Sequence, residues 1–458
     1  MERFTMKQTY NLKQKYIQFL HIMIPIFITQ TALSLMAFID TSMSGHVSKE
    51  DMAGAAIGSS LWLPIQTGIS GILMGITPIV AGYIGAKQKE KVGYSVFQAL
   101  WLAVGVSLSV LLVGILTVGP ILNYMGLDPK VHHIAYYFLT ALAVGIFPLF
   151  GYTVLRSFID ALGQTKISMV ITLLALPLNV GAGYVLIFGH LGFPRLGGIG
   201  SGVATAFTYW CIFIIAIVIV HKHPACSSYG IFHKFYKLSL TKCKEIMKIG
   251  VPMGFAIFFE TAIFAAITLL MSQFDTATIA ANQAANNFSG TLYMFPLSIC
   301  LSLTILVGYE VGASRHKDAK QYAKLGIFTA IGFSLVAALI LLTFNYEVAS
   351  IYSKELDVID LIQHFLIYAI FFQISDAIAT PTQGVLRGYR DVNSTFWITL
   401  VAYWIIGLPL GYVLANFTEN GPYGYWIGLI TGLGIAAVFL LYRLKKIQRR
   451  TETEVASS

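Results

Sequence analysis

The sequence predicts an all-α membrane protein: twelve transmembrane helices in two pseudo-symmetric six-helix lobes. Three observations carry this. The 458 residues are 56% hydrophobic and 11% charged, with a mean hydropathy of +0.73, whereas soluble domains carry about 25% charged residues. Apolar runs of about 20 residues, the length a helix needs to cross a bilayer, recur along the chain. The second half also repeats the first at a constant offset of 227 residues. A soluble chain of this size could not hide so much apolar surface, and a disordered chain needs the opposite composition. Soluble enzymes, nucleic-acid-binding proteins and secreted disulfide scaffolds are disfavoured on the same grounds.

Taken in order between charged or Gly/Pro-rich breaks, the runs place spans at 17–44, 53–84, 93–117, 132–153, 166–188 and 199–220. The first is long and lacks a small-residue cleavage site, so it is expected to be a permanent span and not a cleaved leader. The second half follows with 246–272, 278–308, 323–344, 360–382, 395–415 and 424–442. The expected organisation is therefore an N-terminal lobe over 1–220, a linker over 221–245, a C-terminal lobe over 246–442 and a basic tail over 443–458.

The net charge of +9 has a topological reading, because Lys and Arg are retained on the cytoplasmic side. With a cytoplasmic N-terminus, 26 of the 30 basic residues fall on inner loops and only Lys49, Lys130, Arg195 and Lys354 fall outside. Twelve spans then leave both termini in the cytoplasm of a multi-pass cell-membrane protein. The linker contains His221, His223, Cys226 and His233. Their spacing matches no standard metal site, so the segment reads as a solvated basic linker. The four cysteines, Cys211, Cys226, Cys243 and Cys300, make no disulfide framework.

The repeat is visible residue by residue. Under a shift of 227, Pro25 falls on Pro252, Ala53 on Ala280, and Val80, Gly85 and Ala86 on Val307, Gly312 and Ala313. The inner loop Ile159–Gln164 falls on Leu386–Asp391, and Gly183-Tyr184-Val185-Leu186 recurs near the same shift as Gly411-Tyr412-Val413-Leu414. Six spans per half is an even number, so the halves enter the membrane in the same direction, a plan suited to alternating access in secondary transport.

Apart from Asp360 at the very edge of its span, three acidic residues lie inside the predicted spans: Asp40, Glu260 and Asp376. A carboxylate at mid-membrane costs about 2.5–3.5 kcal/mol on insertion scales, so each requires a reason. Asp40, flanked by Thr41, Ser42 and Ser44, is open to two readings: a coupling carboxylate, or a residue touching water near the outer end of its span. Glu260 and Asp376 sit among Phe and Ile, with no Lys or Arg expected in either span beyond Lys248 at the edge of the first. Their natural partner is a cation that comes and goes, whether H⁺, Na⁺ or a cationic substrate. The shift places Ile267, Leu33 and Leu149 opposite Asp40, Glu260 and Asp376, so the scaffold is duplicated and the acids are not.

The polar residues around them are few. Asn179 follows Pro177, and a proline frees a backbone carbonyl. Thr205 opens the sixth span; Asn282, Gln283, Asn286 and Asn287 open the eighth, with Tyr293 further along. Oxygen ligands suit a hard cation and an aromatic face suits an organic one. For Asn179 and Thr205, interhelical hydrogen bonding is equally open.

These residues resemble a known family. Phe38-Ile39-Asp40-Thr41, the Gly-Ala pair ending the second span, and Val385-Leu386-Arg387-Gly388-Tyr389 with Asp391 look like the MATE multidrug and toxin extrusion transporters, over essentially the whole chain. Glu260 eight residues after Pro252, together with Ser375-Asp376-Ala377, is similar to the NorM branch. The resemblance implies a V-shaped pair of lobes in a bacterial membrane. It implies export of amphiphilic, mostly cationic drugs in exchange for Na⁺ or H⁺, by a monomer without a cofactor. It further implies that Glu260 and Asp376 form a second-lobe cation site, holding transported Na⁺ if Na⁺ is the coupling ion. Tyr293 would sense that cation, and Asp40, Asn179 and Thr205 would form a first-lobe ion site. One departure is Gly183, at a position acidic in some members; it favours simple protonation of Asp40 over a full sodium shell. Phe372, one turn before Asp376, likewise offers no oxygen.

Two other readings remain at this stage. A lipid-linked sugar or polysaccharide flippase of the same superfamily would be expected to carry several Arg or Lys inside its spans; none is read there, which counts against it. A membrane-embedded enzyme would need a His/Asp, His/Glu or Gly-x-Ser constellation, which His21 and His364 do not supply.

Overall fold

All twelve apolar runs are helices. The structure, a computed structural model, describes residues 6–456, apart from the side chains of Thr41 and of 454–456. The Thr41 flank of Asp40 and the last residues of the basic tail therefore lie outside the described residues. The helices are α1 (Leu12–Gly45), α2 (Lys49–Gly85, with a break at Gly75), α3 (Lys89–Tyr124), α4 (Pro129–Ala161), α5 (Thr165–Phe188) and α6 (Gly198–Lys222). They continue as α7 (Leu240–Met271), α8 (Thr276–Gly312), α9 (His316–Thr343), α10 (Leu356–Gly388), α11 (Val392–Phe417) and α12 (Tyr423–Ala456). Among the described residues there is no strand.

Most helices run further than the hydropathy runs. α4 continues from the expected end at 153 to Ala161, α10 from 382 to Gly388, and α9 begins at His316 instead of 323. Hydropathy ends a span at the first charge. A helix ends only where its backbone does, and Lys, Arg, Glu and Gln are good helix formers.

The 227-residue offset governs the backbone itself. Lys49–Gly85 maps onto Thr276–Gly312, and Pro129–Ala161 maps onto Leu356–Gly388, end for end. The turns match too. Lys87 and Ser314 both sit in the left-handed region, at φ 58° and 59°, and so do Gly163 and Arg390, at φ 76° and 61°. Each follows a helix end closed in the same way. The Gln88 and Arg315 amides reach back to the Tyr83 and Glu310 carbonyls, both at 2.9 Å, and those of Gln164 and Asp391 to Ile159 and Leu386. This is the reversed hydrogen bonding that left-handed helix caps provide.

Two compact units result. The first comprises Ile24–Gly254 and the chain up to Lys7; the second comprises Gln8–Met23 and the chain from Phe255 onward. In the first, α4 is the central helix and packs on α2, α3 and α6; in the second, α10 packs on α8, α9 and α12. One tight approach is where α10 crosses α8: a Cβ on Gly384 would stand 2.7 Å from the Cys300 Cα. The outlying helices are apolar outward, with Ile115 79% and Leu116 66% exposed on α3, and Leu339 66% exposed on α9. Apolar side chains facing out over whole helices are what a bilayer solvates.

The segment 221–245, expected as a solvated linker, is mostly exposed but also anchored. Within the first unit it is fastened to α3. The Gln98 amide donates to the Lys237 carbonyl and accepts from the Ser239 N–H, both at 2.8 Å, and the Trp101 indole donates to the Tyr236 carbonyl. Phe235 and Tyr236 stack edge-on against Phe97. The basic residues of the segment masked this apolar anchor. Cys226 is fully buried here and burial pushes its thiol up to about 12, so it is a neutral core thiol.

Candidate functional site

In the first unit, the structure brings Asp40, Asn179 and Thr205 together. Asp40 lies five residues before the end of α1 and is half-buried. The Asn179 amide donates to Asp40 Oδ1 at 2.6 Å, and the Thr205 hydroxyl reaches Oδ2 at 3.4 Å while bonding the Ser201 carbonyl at 3.0 Å. Asn179 is completely buried, two residues after Pro177 in α5. Thr208, one turn after Thr205 on α6, orients it by donating to Asn179 Oδ1 at 3.1 Å. An amide oxygen that accepts from Thr208 leaves the amide N–H₂ for Asp40. Thr208 was not singled out from the sequence, although its i, i+3 spacing from Thr205 places both on one helix face. Gly183 is buried against Met43 and adds no oxygen.

In the second unit, Glu260 stands on α7 and Asp376 on α10, with Asp376 only 3% exposed. Asp376 Oδ1 accepts from the Thr380 hydroxyl one turn on, at 2.6 Å. Its other oxygen, Oδ2, is buried without a partner among the described residues. Glu260 Oε1 accepts from the Gln383 amide at 2.7 Å, and Gln383 Oε1 accepts from the Arg387 guanidinium at 3.2 Å. Arg387 also reaches Cys300 Sγ on α8 at 3.6 Å. The four α10 residues lie at successive three- or four-residue steps, so one helix face presents carboxylate, hydroxyl, amide and guanidinium in turn.

Tyr293 on α8 is partly exposed and interacts electrostatically with Glu260, Asp376 and Arg387. Tyr403 stands in the same field and is 7% exposed. It belongs to a π-helical turn, Val401–Gly407, that interrupts α11, and the next residue, Trp404, donates to the Phe259 carbonyl at 3.1 Å beside Glu260. The 227 shift maps Trp404 onto Pro177, so a residue that cannot donate to the helix stands in the first half where the π-turn interrupts the second. Such single π-turns are frequently found at functional sites. Phe372 forms an aromatic wall with Phe264 and Trp426.

Several expectations require correction. Arg387 does lie within a spanning helix, buried to 3% exposure, contrary to the expectation that its span held no Lys or Arg. The apolar run ends at 382, which puts Arg387 in a loop, whereas α10 carries it inward, where it donates to Gln383 and Cys300. Asp160 with Arg156 in α4, and Glu310 in α8, are likewise helical and buried or half-buried near helix ends. The argument that a flippase is disfavoured because its spans hold no arginine therefore falls. At the start of α8, Asn282 accepts from the Trp426 indole at 2.9 Å, behind the aromatic wall, and Asn287 accepts from the Tyr352 hydroxyl. No cluster of three or more His, Cys, Asp or Glu suited to a metal occurs among the described residues.

Comparison with known proteins bears on this arrangement. The MatE family matches residues 25–185 and again 252–413, once in each half. The chain is 56% identical over 445 residues to a protein from Bacillus subtilis (strain 168) named "Probable multidrug resistance protein NorM", covering 97% of this chain and 98% of that one. A protein of the same name from Halalkalibacterium halodurans is 56% identical over 447 residues, covering 98% of both. Among solved structures, the eukaryotic MATE transporter AtDTX14 superposes with a TM-score of 0.85 at 21% identity, covering 97% of this chain and 99% of that one. At that identity the likeness speaks to the fold alone.

Proposed function

The chain belongs to the MatE family, and from that premise we propose that it is a secondary active multidrug antiporter, exporting amphiphilic organic cations in exchange for Na⁺ or H⁺. As a transporter of this family it is not an enzyme and requires no cofactor. The observation that carries the proposal is Asp376: a buried carboxylate with one oxygen bonded to Thr380 and the other without a partner. Leaving a buried charged acceptor unpaired is costly unless a mobile cation pairs with it during the working cycle.

In this mechanism the ionised second-unit site attracts an organic cation from the cytoplasm, and Tyr293, Tyr403 and the Phe264–Phe372 wall hold its apolar part. Entry of Na⁺ or H⁺ from the opposite side cancels the negative charge, and the drug loses its electrostatic partner. If Na⁺ is the coupling ion, Glu260 and Asp376 supply its oxygen ligands. In the first unit, Asp40 takes a proton or cation, with Asn179 and Thr205 as its hydrogen-bonding neighbours. Coupling requires that bound ion and bound drug favour different conformations. The protein works as a monomer in the cell membrane of a bacterium, with both termini cytoplasmic. This orientation rests on the distribution of Lys and Arg.

The deciding experiment is efflux of ethidium or a fluoroquinolone from vesicles, with Na⁺ and pH gradients imposed separately. At least one gradient, directed so that the ion moves opposite to drug, is expected to drive export. Export indifferent to both gradients would refute antiport.

A further inference from the structure

We propose that Arg387 is a resident counterion for Glu260, acting through Gln383, so that the second-unit site carries one net negative charge and takes one monovalent cation per cycle. This inference rests on the antiport reading and adds its stoichiometry.

Arg387 is 3% exposed, and its guanidinium has donors only and is always charged. A buried charge of this kind needs a compensating one. None of the acids lies in direct ion-pair contact with it among the described residues; its oriented partner is the Gln383 amide. Because Arg387 can only donate, Gln383 must turn Oε1 toward it, and the N–H₂ is left to face Glu260 Oε1 at 2.7 Å. The amide thus passes on a direction: donor to acceptor, donor to acceptor, ending on a carboxylate. Arg387 is a positioning residue, fixing Glu260 without touching it.

The charge count follows. Within this electrostatic cluster the charged members are Glu260, Asp376 and Arg387; the other titratable groups in its field, Tyr293, Tyr403 and Cys300, are neutral in their ordinary forms. Two negative charges and one positive leave one negative. The place for the incoming cation is Asp376 Oδ2, the buried oxygen without a partner.

The duplicated frame supports an internal role for the arginine. The 227 shift maps Gln383 onto Arg156 and Arg387 onto Asp160. In the first unit Arg156 donates to Gln30 on α1 at 3.1 Å and lies 3.5 Å from Asp160. At this level both units hold an arginine whose charge is answered within the protein. Neither is left over to bind a transported anion.

The test counts bound cations on the purified full-length protein in lipid nanodiscs, with ²²Na⁺ as one probe and proton uptake as the other. An Asp40→Asn background removes the first-unit carboxylate. In that background one cation is expected to bind. Glu260→Gln leaves Asp376 facing Arg387, and binding is expected to be lost. Adding Arg387→Gln to Glu260→Gln restores the net charge, and one bound cation is expected to return. This double variant also avoids an unpaired buried charge, so it tests the idea even if Arg387→Gln alone fails to fold. Arg387→Gln alone, where it folds, is expected to bind two cations, and Arg387→Lys one. Failure of the double variant to regain binding would overturn the counterion role, as would a single cation in Arg387→Gln. Should the wild type transport drug under neither gradient, the antiport reading itself fails, which is a separate outcome.

Discussion

Asp376→Asn is expected to abolish ion-coupled drug export while leaving the protein inserted and folded. The substitution keeps the volume and the oxygen that Thr380 addresses at 2.6 Å. It replaces Oδ2, buried and without a partner, by an N–H₂ that can only donate. A cation has no reason to bind there, and the drug has no carboxylate to leave. Ion–drug coupling free energies of about 1–3 kcal/mol correspond to roughly 5–150-fold in affinity, and losing that term is expected to leave drug export indifferent to the gradient. Vesicle efflux under the effective gradient measures this, with thermal stability in detergent as the control for folding. Wild-type efflux by the variant would remove Asp376 from the mechanism.

Gly384→Leu is expected to act in the opposite way, through the fold. Gly384 sits where α10 crosses α8, with an added Cβ 2.7 Å from the Cys300 Cα and closer still to its carbonyl oxygen. The Thr304 hydroxyl bridges the same crossing, donating to the Cys300 carbonyl at 2.9 Å and the Gly384 carbonyl at 3.1 Å. Backbone cannot step aside as a side chain can, so the helices must separate, breaking the bridge and displacing Gln383 and Arg387 next to it. Overpacking in a core costs about 1–3 kcal/mol and more where relaxation is blocked. The expected result is a sharp loss of folded protein on size-exclusion chromatography and a lower melting temperature; Gly384→Ala should show a smaller loss. A Leu variant as stable as the wild type would mean that the crossing is looser than described.

Much of this structure could be read from the sequence because membrane burial writes itself in composition. Twelve apolar runs gave twelve helices, and an offset found from Pro25 and Pro252 turned out to align two pairs of helices and two left-handed turns residue for residue. The three carboxylates were legible for the same reason: an acid among phenylalanines stands out. Asn179 and Thr205 were found as polar residues in apolar helices, and both prove to contact Asp40.

The rest was hidden by the same rule. Hydropathy reads each charge as the edge of the membrane, so Arg387 looked like a loop residue, and nothing in composition says that a guanidinium is folded back among helices and balanced by Glu260. The i, i+4 steps Asp376–Thr380 and Gln383–Arg387 could have revealed it, had the helix been extended past its apolar run. The attachment of 221–245 to α3 was masked by its lysines, although Phe235 and Tyr236 carry the contact. The π-turn at Val401–Gly407 is signalled in the sequence only by Pro409 just beyond it, since Trp404 stands where the first half has Pro177.

The claim at the centre of this account is that coupling ion and drug compete for one negative charge. Equilibrium binding of ethidium to the purified protein, followed by its fluorescence while Na⁺ is added or pH is lowered, tests it most directly. The account predicts that one of these cations displaces the dye from the wild type and that Asp376→Asn binds dye weakly and without response to either. Dye binding of wild-type strength in Asp376→Asn, or binding in the wild type unchanged by both Na⁺ and acid, would contradict it.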